Sequence, residues 1–251
     1  MKLAEMTWPE VDALDRKIIV LIPTGSLEQH GPHLPLLTDT ILANSVAEAV
    51  EQRIPDKVLV TPPIWMGCSE HHLKFPGSIH APFELFIAAV NAIVNSLAPH
   101  GFLTYYLLNG HGGNTAPLNL AARTAKIAFP NSRIGTAGYF NWAEDAAKMV
   151  MEGPLKTIRH ACEGEASLVM HVRPELVRTD KLRDDGTEMV PNVAGMASWF
   201  DEVTEQGSWG YATLATPEKG KAMWEAAVAG VTAEMEKLFS GYVYQGMNPN
   251  V

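Results

Sequence analysis

The sequence predicts an α/β fold, a mainly parallel central sheet with helices on both faces. Apolar runs rich in β-branched residues alternate along the chain with helix-like stretches of roughly 12 to 18 residues, the pattern of parallel strands joined by crossover helices. Hydrophobic residues make up 47% and charged residues 19%, so a sizeable core is available and the composition is not that of a disordered chain. The 251 residues fit one large domain or two small ones. No composition break or internal repeat divides them, and a single domain over 1–251 is expected.

The elements follow in order. KIIVLIP (17–23) reads as a buried strand, a continuous apolar run ended by Pro and Gly. A helix follows from Thr40 to about Ile54, with Ile41, Val46, Ala49 and Val50 at helical spacing. KVLVTPPIW (57–65) is a second strand, and Pro82 suits the first turn of an apolar helix reaching about Leu97. FLTYYLLNG (102–110) is a third strand, 115–129 a helix and SRIGTAGYF (132–140) a fourth strand. Residues 142–152 and 163–171 read as helices, as does the stretch from about Pro217 to Phe239. The Gly-rich, poorly periodic region 185–215 is expected to be ordered loop with short elements near a site.

Several function classes are disfavoured. The net charge is -9 and no Lys/Arg cluster is present, which argues against nucleic acid as a partner. Two cysteines, Cys68 and Cys162, without a CxxC motif fit a reducing compartment. The N-terminal stretch lacks a signal-peptide apolar region, and no uninterrupted apolar run approaches the roughly 20 residues of a membrane helix. A cytoplasmic protein with no membrane partner is expected.

The chemistry-bearing residues cluster after the strands. In an open α/β sheet, ligands bind beyond the carboxyl ends of the strands. GSLEQHGPHLPLLTD follows the first strand, MGCSEHHLKFPGS the second and NGHGGN the third, so three sequence-distant loops should meet on one rim. Glu28 and His30 are two residues apart and face the same side of an extended chain. Carboxylate oxygens and imidazole nitrogens suit zinc or manganese. Asp39 either caps the next helix or bridges two metals. His111 ends an apolar strand among glycines that let the backbone approach a ligand, although such a loop can also cradle phosphate.

RHACEGEAS carries His160, Glu163 and Glu165; either Glu165 and His160 reach the same cavity, or the motif forms an exposed acidic first turn of a helix. Cys68 and Cys162 read as packing residues, and Ser26 does not sit in a G-x-S-x-G elbow. His71 and His72 are adjacent and should diverge, with one of them a candidate to line the site. His33 and Glu70 have no assigned role. The tryptophans read mostly as core, with Trp199 and Trp209 placed to wall a pocket.

Taken together, GSLEQHGPHLPLLTD, EHHLKFPGS, NGHGGN, HACEGEAS and GSWGYATLATPEKG, with the opening EMTWPEV, resemble the creatininase (creatinine amidohydrolase) family over about residues 4 to 225. The resemblance implies a three-layer α/β/α fold, a dinuclear metal centre, commonly a homohexamer, and hydrolysis of a small-molecule amide that is often cyclic. It implies Glu28, His30, Asp39 and His111 as metal ligands, with Asp39 bridging and zinc, manganese or iron as the ions. Creatininase itself carries a further glutamate where this chain has Gly113, and Glu165 is the implied replacement. His160 matches the histidine proposed to shuttle protons. Gly112 and Lys156 stand where creatininase has aromatic residues that bear on substrate, a departure that points away from creatinine. Two alternatives accompany this reading: a formamide hydrolase (deformylase) acting on a pyrimidine-type intermediate, and a phosphate- or nucleotide-binding module without metal.

Overall fold

The computed structural model describes residues 1–186 and 196–241. A short helix, α1 (Trp8–Asp12), precedes strand β1 (Ile19–Thr24), all six of whose residues are buried. Helix α2 (Thr38–Arg53) leads to β2 (Val58–Val60), α3 (Phe83–Leu97) to β3 (Thr104–Asn109), and α4 (Thr115–Ala128) to β4 (Arg133–Gly138). Helices α5 (Phe140–Val150) and α6 (Glu163–Val172) follow, then a two-residue strand β5 (Asp184–Asp185). One turn of helix, α7 (Phe200–Val203), and β6 (Gly210–Tyr211), which pairs antiparallel with β5, precede the long closing helix α8 (Pro217–Phe239).

The main sheet has the order β2-β1-β3-β4, and its strand pairs are all parallel. Alternate residues of β1 face opposite cores, as the two-residue period of a strand requires. Ile19 and Leu21 join α2, α5, α6 and α8, while Val20 and Ile22 join α3 and α4. Both faces are therefore covered, which explains why β1 is apolar throughout rather than alternating. Burying each of these large side chains stabilises the fold by about 1.5–3 kcal/mol before the entropy of ordering is counted. The result is the expected three-layer α/β/α arrangement.

Element boundaries differ from expectation where a local backbone rule intervenes. The second strand is three residues long because Pro62 and Pro63 have no N–H to donate to a ladder; only an isolated bridge from Thr24 to Ile64 continues it. Helix α2 starts at Thr38, so Asp39 lies inside the first turn and does not serve as its N-cap. Helix α5 begins two residues earlier than expected, at Phe140. Helix α3 belongs to an apolar stretch, Phe83–His100, that satisfies the composition test for a membrane span. Its 15 helical residues extend only about 22 Å at 1.5 Å each, and Phe86, Val90 and Val94 pack one face on the sheet.

The tryptophan expectation needs correction. Trp8, Trp65 and Trp199 are exposed rather than core, and only Trp142 and Trp224 pack against the core. Of the 185–215 region, residues 187–195 lie outside the described residues; the remainder forms the expected short elements.

The strand order leaves β1 and β3 adjacent although their onward connections run in opposite directions, through α2 on one face and α4 on the other. Such a switch point opens a crevice at the carboxyl ends of the two strands. Thr24 pairs with Asn109 and Asn109 with Gly138, so three strands end in register there. The loops that follow begin at Gly25, Gly110 and Tyr139.

Candidate metal centre

Six side chains from four segments meet at this crevice: Glu28 and His30 from the loop after β1, Asp39 from the first turn of α2, His111 after β3, and His160 and Glu165 around the start of α6. The first four and Glu165 are buried. Asp39 stands between two groups. Its Oδ1 lies 3.0 Å from His30 Nε2, which is 3.8 Å from Glu165 Oε2. Its Oδ2 lies 2.9 Å from His111 Nδ1, which is 3.2 Å from Glu28 Oε1. Ligand atoms of Glu28, Asp39 and His111 lie within 4.8 Å of one another, as do those of His30, His160 and Glu165.

Each imidazole is aimed by a backbone carbonyl. His30 Nδ1 is 3.1 Å from the Glu28 carbonyl, His111 Nε2 is 3.0 Å from that of Cys68, and His160 Nε2 is 2.7 Å from that of Gln29. A carbonyl only accepts, so those nitrogens carry the protons. The opposite nitrogen of each ring faces the carboxylates and would offer its lone pair to a bound metal, the arrangement that fixes the tautomer of metal-binding histidines. Ser26 Oγ donates to Asp39 Oδ2 at 2.7 Å, which gives that hydroxyl a positioning task and not a nucleophilic one.

Local backbone geometry makes the approach possible. A Cβ on Gly110 would lie 2.4 Å from the Asp39 carbonyl, and one on Gly113 would lie 2.3 Å from that of Cys68. Gly112 meets no such obstacle. Asn109 holds the His111 backbone at both its N–H and its carbonyl, and Asn114 ties Cys68 to Gly25. On the far side, Ala161 adopts φ 49°, a left-handed conformation unusual for a residue with a Cβ. Its N–H donates to Glu165 Oε2 and its carbonyl accepts from His33 Nε2, so the turn bearing His160 is clamped from two directions. That gives His33 a structural role.

The charges are strongly coupled. Burial opposes ionisation of His30, yet Asp39, Glu165 and Glu28 raise it to about 9. Burial and the neighbouring Asp39 and Glu28 carboxylates push Glu165 up to about 8, despite His30. Burial also opposes the charged forms of Glu28 and Asp39, but the imidazoles, His111 for the first and His30 for the second, hold both carboxyls low. His111 is raised by Glu28 and Asp39 against the same burial cost. His160 is pushed down by burial and by the charge on His30 and His72.

Both oxygens of Glu28, fully buried, lack a hydrogen-bond partner among the described residues. The imidazoles of His72, His111 and His160 approach Oε1 at 3.1 to 3.5 Å, but not along hydrogen-bonding directions. A buried carboxylate left this way costs several kcal/mol unless a cation completes its surroundings. The oxygen and nitrogen donors are those that zinc and manganese prefer, so the residues present fit a divalent metal pair.

Sequence reasoning left four contributors without a role: His71, His72, Gln29 and Phe200. His71 and His72 do not diverge, for their rings are 4.3 Å apart and both line the cavity; His72 Nε2 lies 3.1 Å from Glu28 Oε1. Gln29 points inward, its Nε2 lying 2.8 Å from His72 Nδ1 and 3.1 Å from His160 Nε2. Phe200 packs on His72 and His160 with ring centroids 4.1 and 4.6 Å away. Glu28 and His30 facing one side of an extended chain implies that Gln29 faces the other; Gly31, with φ 61°, follows closely, and its N–H donates to Gln29 Oε1 at 2.9 Å. Glu70 faces His80 at 3.4 Å, outside the cluster. The cavity, about 270 Å³, is walled by Trp209, Phe200, Phe140 and Ile158, whereas Trp199 and Lys156 are not among its lining residues.

Comparison with known proteins gives a consistent result. A family model described as creatinine amidohydrolase matches residues 4–235. The mycofactocin precursor peptide peptidase of Mycobacterium ulcerans is 32% identical over 238 residues, covering 88% of this chain and 82% of that protein. Creatinine amidohydrolase of Pseudomonas putida is 27% identical over 253 residues, covering 94% and 96%. The 3-dehydro-scyllo-inosose hydrolase of Thermotoga maritima is 30% identical over 230 residues, covering 83% and 73%. Among solved structures, a creatininase variant of Zn–Zn type aligns with a TM-score of 0.81 at 28% identity, and a manganese creatininase with 0.82 at 26%; each alignment covers 95% of this chain and 98% of the other.

Proposed function

This chain belongs to the creatininase family, and on that premise we propose that it is a metal-dependent amidohydrolase whose rim cluster holds two divalent ions, zinc or manganese, with iron also chemically suited. Glu28, Asp39 and His111 would hold one ion and His30, Asp39 and Glu165 the other, with Asp39 shared. The observation that carries this reading is the Asp39 carboxylate, whose two oxygens face the two separate groups at 2.9 and 3.0 Å.

A bound divalent pair supplies Lewis acidity and water that ionises near neutral pH. The chain's own residues do the rest. His160 presents its Nδ1 lone pair to the cluster, 3.5 Å from Glu28 Oε1, while Gln29 holds its Nε2–H. At Nδ1 it would accept the proton of the attacking water and pass it to the leaving amide nitrogen, the general acid–base task of an imidazole. Phe200 and Trp209 exclude water and shape the space for the substrate.

The substrate is an amide of small-molecule or peptide size. The relatives named above differ in what their names say they act on, and this chain has Gly112 and Lys156 in place of aromatic residues, so we assign no single compound. The formamide reading remains a branch of the same chemistry that a substrate screen distinguishes. We further infer one hydrolase domain over 1–251, a cytoplasmic location supported by two buried, unpaired cysteines, and a homohexamer. The hexamer is supported by apolar side chains left at the surface, Trp65, Phe83 and Leu85 among them. Light scattering on the full chain should give six copies; a monomer would overturn that part.

Elemental analysis and amide turnover test the main proposal together. Wild-type protein should carry two metal equivalents per chain. Glu28→Ala and His30→Ala should lose metal and activity together, whereas His160→Ala should retain both ions and lose about 10²- to 10⁴-fold in kcat. Normal turnover by the His160 variant would remove its assigned role, and a metal-free wild type with a bound nucleotide would favour the phosphate-binding alternative.

A further inference from the structure

Arg159 has no task in the mechanism, yet it lines the cavity beside His160. Its guanidinium carbon lies 4.8 Å from the centroid of the Trp209 ring, which itself walls the cavity. Stacking on an aromatic face fixes a guanidinium while leaving its N–H edge free to bind. Among the described residues, no carboxylate forms an ion pair with Arg159, and only its backbone makes hydrogen bonds, both with the Cys162 sulfur. The two carboxylates that line the cavity, Asp39 and Glu165, each accept a hydrogen bond from the chain.

The charge balance sharpens this. Glu28, Asp39 and Glu165 supply three negative charges, fewer than the four positive charges of two divalent ions. The cluster therefore does not need Arg159 for neutrality and does not supply a carboxylate to pair with it. The remaining wall is apolar or imidazole. A positive, aromatic-backed fork at the mouth of such a cavity matches a carboxylate in two-point hydrogen bonding.

We propose that Arg159 is a specificity-determining residue that binds a carboxylate of the substrate, so the preferred amide is one carrying a free carboxylate near the scissile bond. The loop places this subsite next to the proposed proton carrier, since Arg159 and His160 are adjacent and Trp209 N–H donates to the His160 carbonyl at 2.8 Å. A substrate gripped at Arg159 is thereby oriented toward the His160 side of the cluster. The inference rests on the hydrolase reading above.

The test uses linear hydroxamates, which anchor on a metal pair without needing the natural substrate. Each ends either in a carboxylate or in the matching carboxamide, with two, three or four methylenes as spacer. Dissociation constants are measured on the zinc-loaded full chain. In at least one spacer length the carboxylate should bind about tenfold tighter than its carboxamide twin. That ratio should fall toward one in Arg159→Gln and recover in part in Arg159→Lys, which restores charge without the fork. Equal binding of the twins at every spacer length, or a ratio that survives Arg159→Gln, overturns the carboxylate subsite alone. Failure of every hydroxamate to bind metal-loaded protein overturns the hydrolase reading, and this inference with it.

Discussion

Gln29 illustrates how a residue with no chemistry of its own can govern two that have it. Its amide Nε2 sits within hydrogen-bonding distance of His72 Nδ1, His160 Nε2 and the Gly207 carbonyl, and its Oε1 accepts from Gly31 N–H at 2.9 Å. An amide nitrogen has two protons, so the carbonyl and His72 are the partners it can serve well. Donation to His72 Nδ1 puts that ring's proton on Nε2, facing Glu28. The Gln29 backbone carbonyl meanwhile keeps the His160 proton on Nε2. Gln29→Met, similar in size but without the amide, should retain both metals and lower kcat about 10- to 100-fold, the usual effect of removing a group that orients site histidines. Unchanged kcat in the variant would show that packing alone holds the two rings.

The helix scale explains why the His160 loop stays where it is. Glu163, at the first position of α6, is fully buried. Its Oε1 accepts from Glu152 N–H at 2.8 Å and Lys219 Nζ at 2.6 Å, and its Oε2 from Gly153 N–H at 2.9 Å. Lys219 lies in the first turn of α8 and also donates to the Leu214 carbonyl. One ion pair thus fastens the end of α5, the start of α6 and the start of α8 around the segment that carries Arg159, His160 and Glu165.

Removing one partner of a buried pair strands the other charge, so Lys219→Met should destabilise the fold by about 3 kcal/mol in chemical denaturation. The pH dependence has a definite sign. Burial opposes the Lys219 charge, but Glu163 and Glu152 raise its pKa above 10.5. Its stabilising contribution is therefore complete below 10.5 and lost as pH climbs through the raised value. The wild type should show a loss of stability on that alkaline limb that Lys219→Met lacks. An identical alkaline slope in both proteins would show that the pair contributes nothing.

For the whole molecule, the sequence made the layers legible because burial on both sheet faces leaves uninterrupted apolar runs such as IVLI in β1, and because Glu28, His30, Asp39 and His111 come from loops that must end on one rim. Glu165 and His160 came from the family resemblance, since an acidic first helical turn has the same letters whether it faces solvent or a cavity. What stayed hidden depends on turns and on neighbours distant in sequence. His72 reaches Glu28 across 44 positions, and Gln29 turns inward beside Gly31, whose positive φ departs from an extended chain. The exposed Trp8 and Trp65 depart from the core expectation because hydrophobic character says what a residue prefers, not where the chain places it. The proline pair that cut β2 short was visible in the letters, and it outweighs the apolar character of its neighbours.

The strand order at the β1–β3 crevice, the Asp39 carboxylate facing two groups and the orphaned Glu28 oxygens all support our proposal that two divalent ions sit on either side of Asp39. Anomalous diffraction from crystals of the zinc-loaded protein, collected at the zinc edge, tests it most directly. Two peaks should appear, one among Glu28, Asp39 and His111 and the other among His30, Asp39 and Glu165. No peak beside Asp39, or zinc only at sites elsewhere on the surface, would contradict the account.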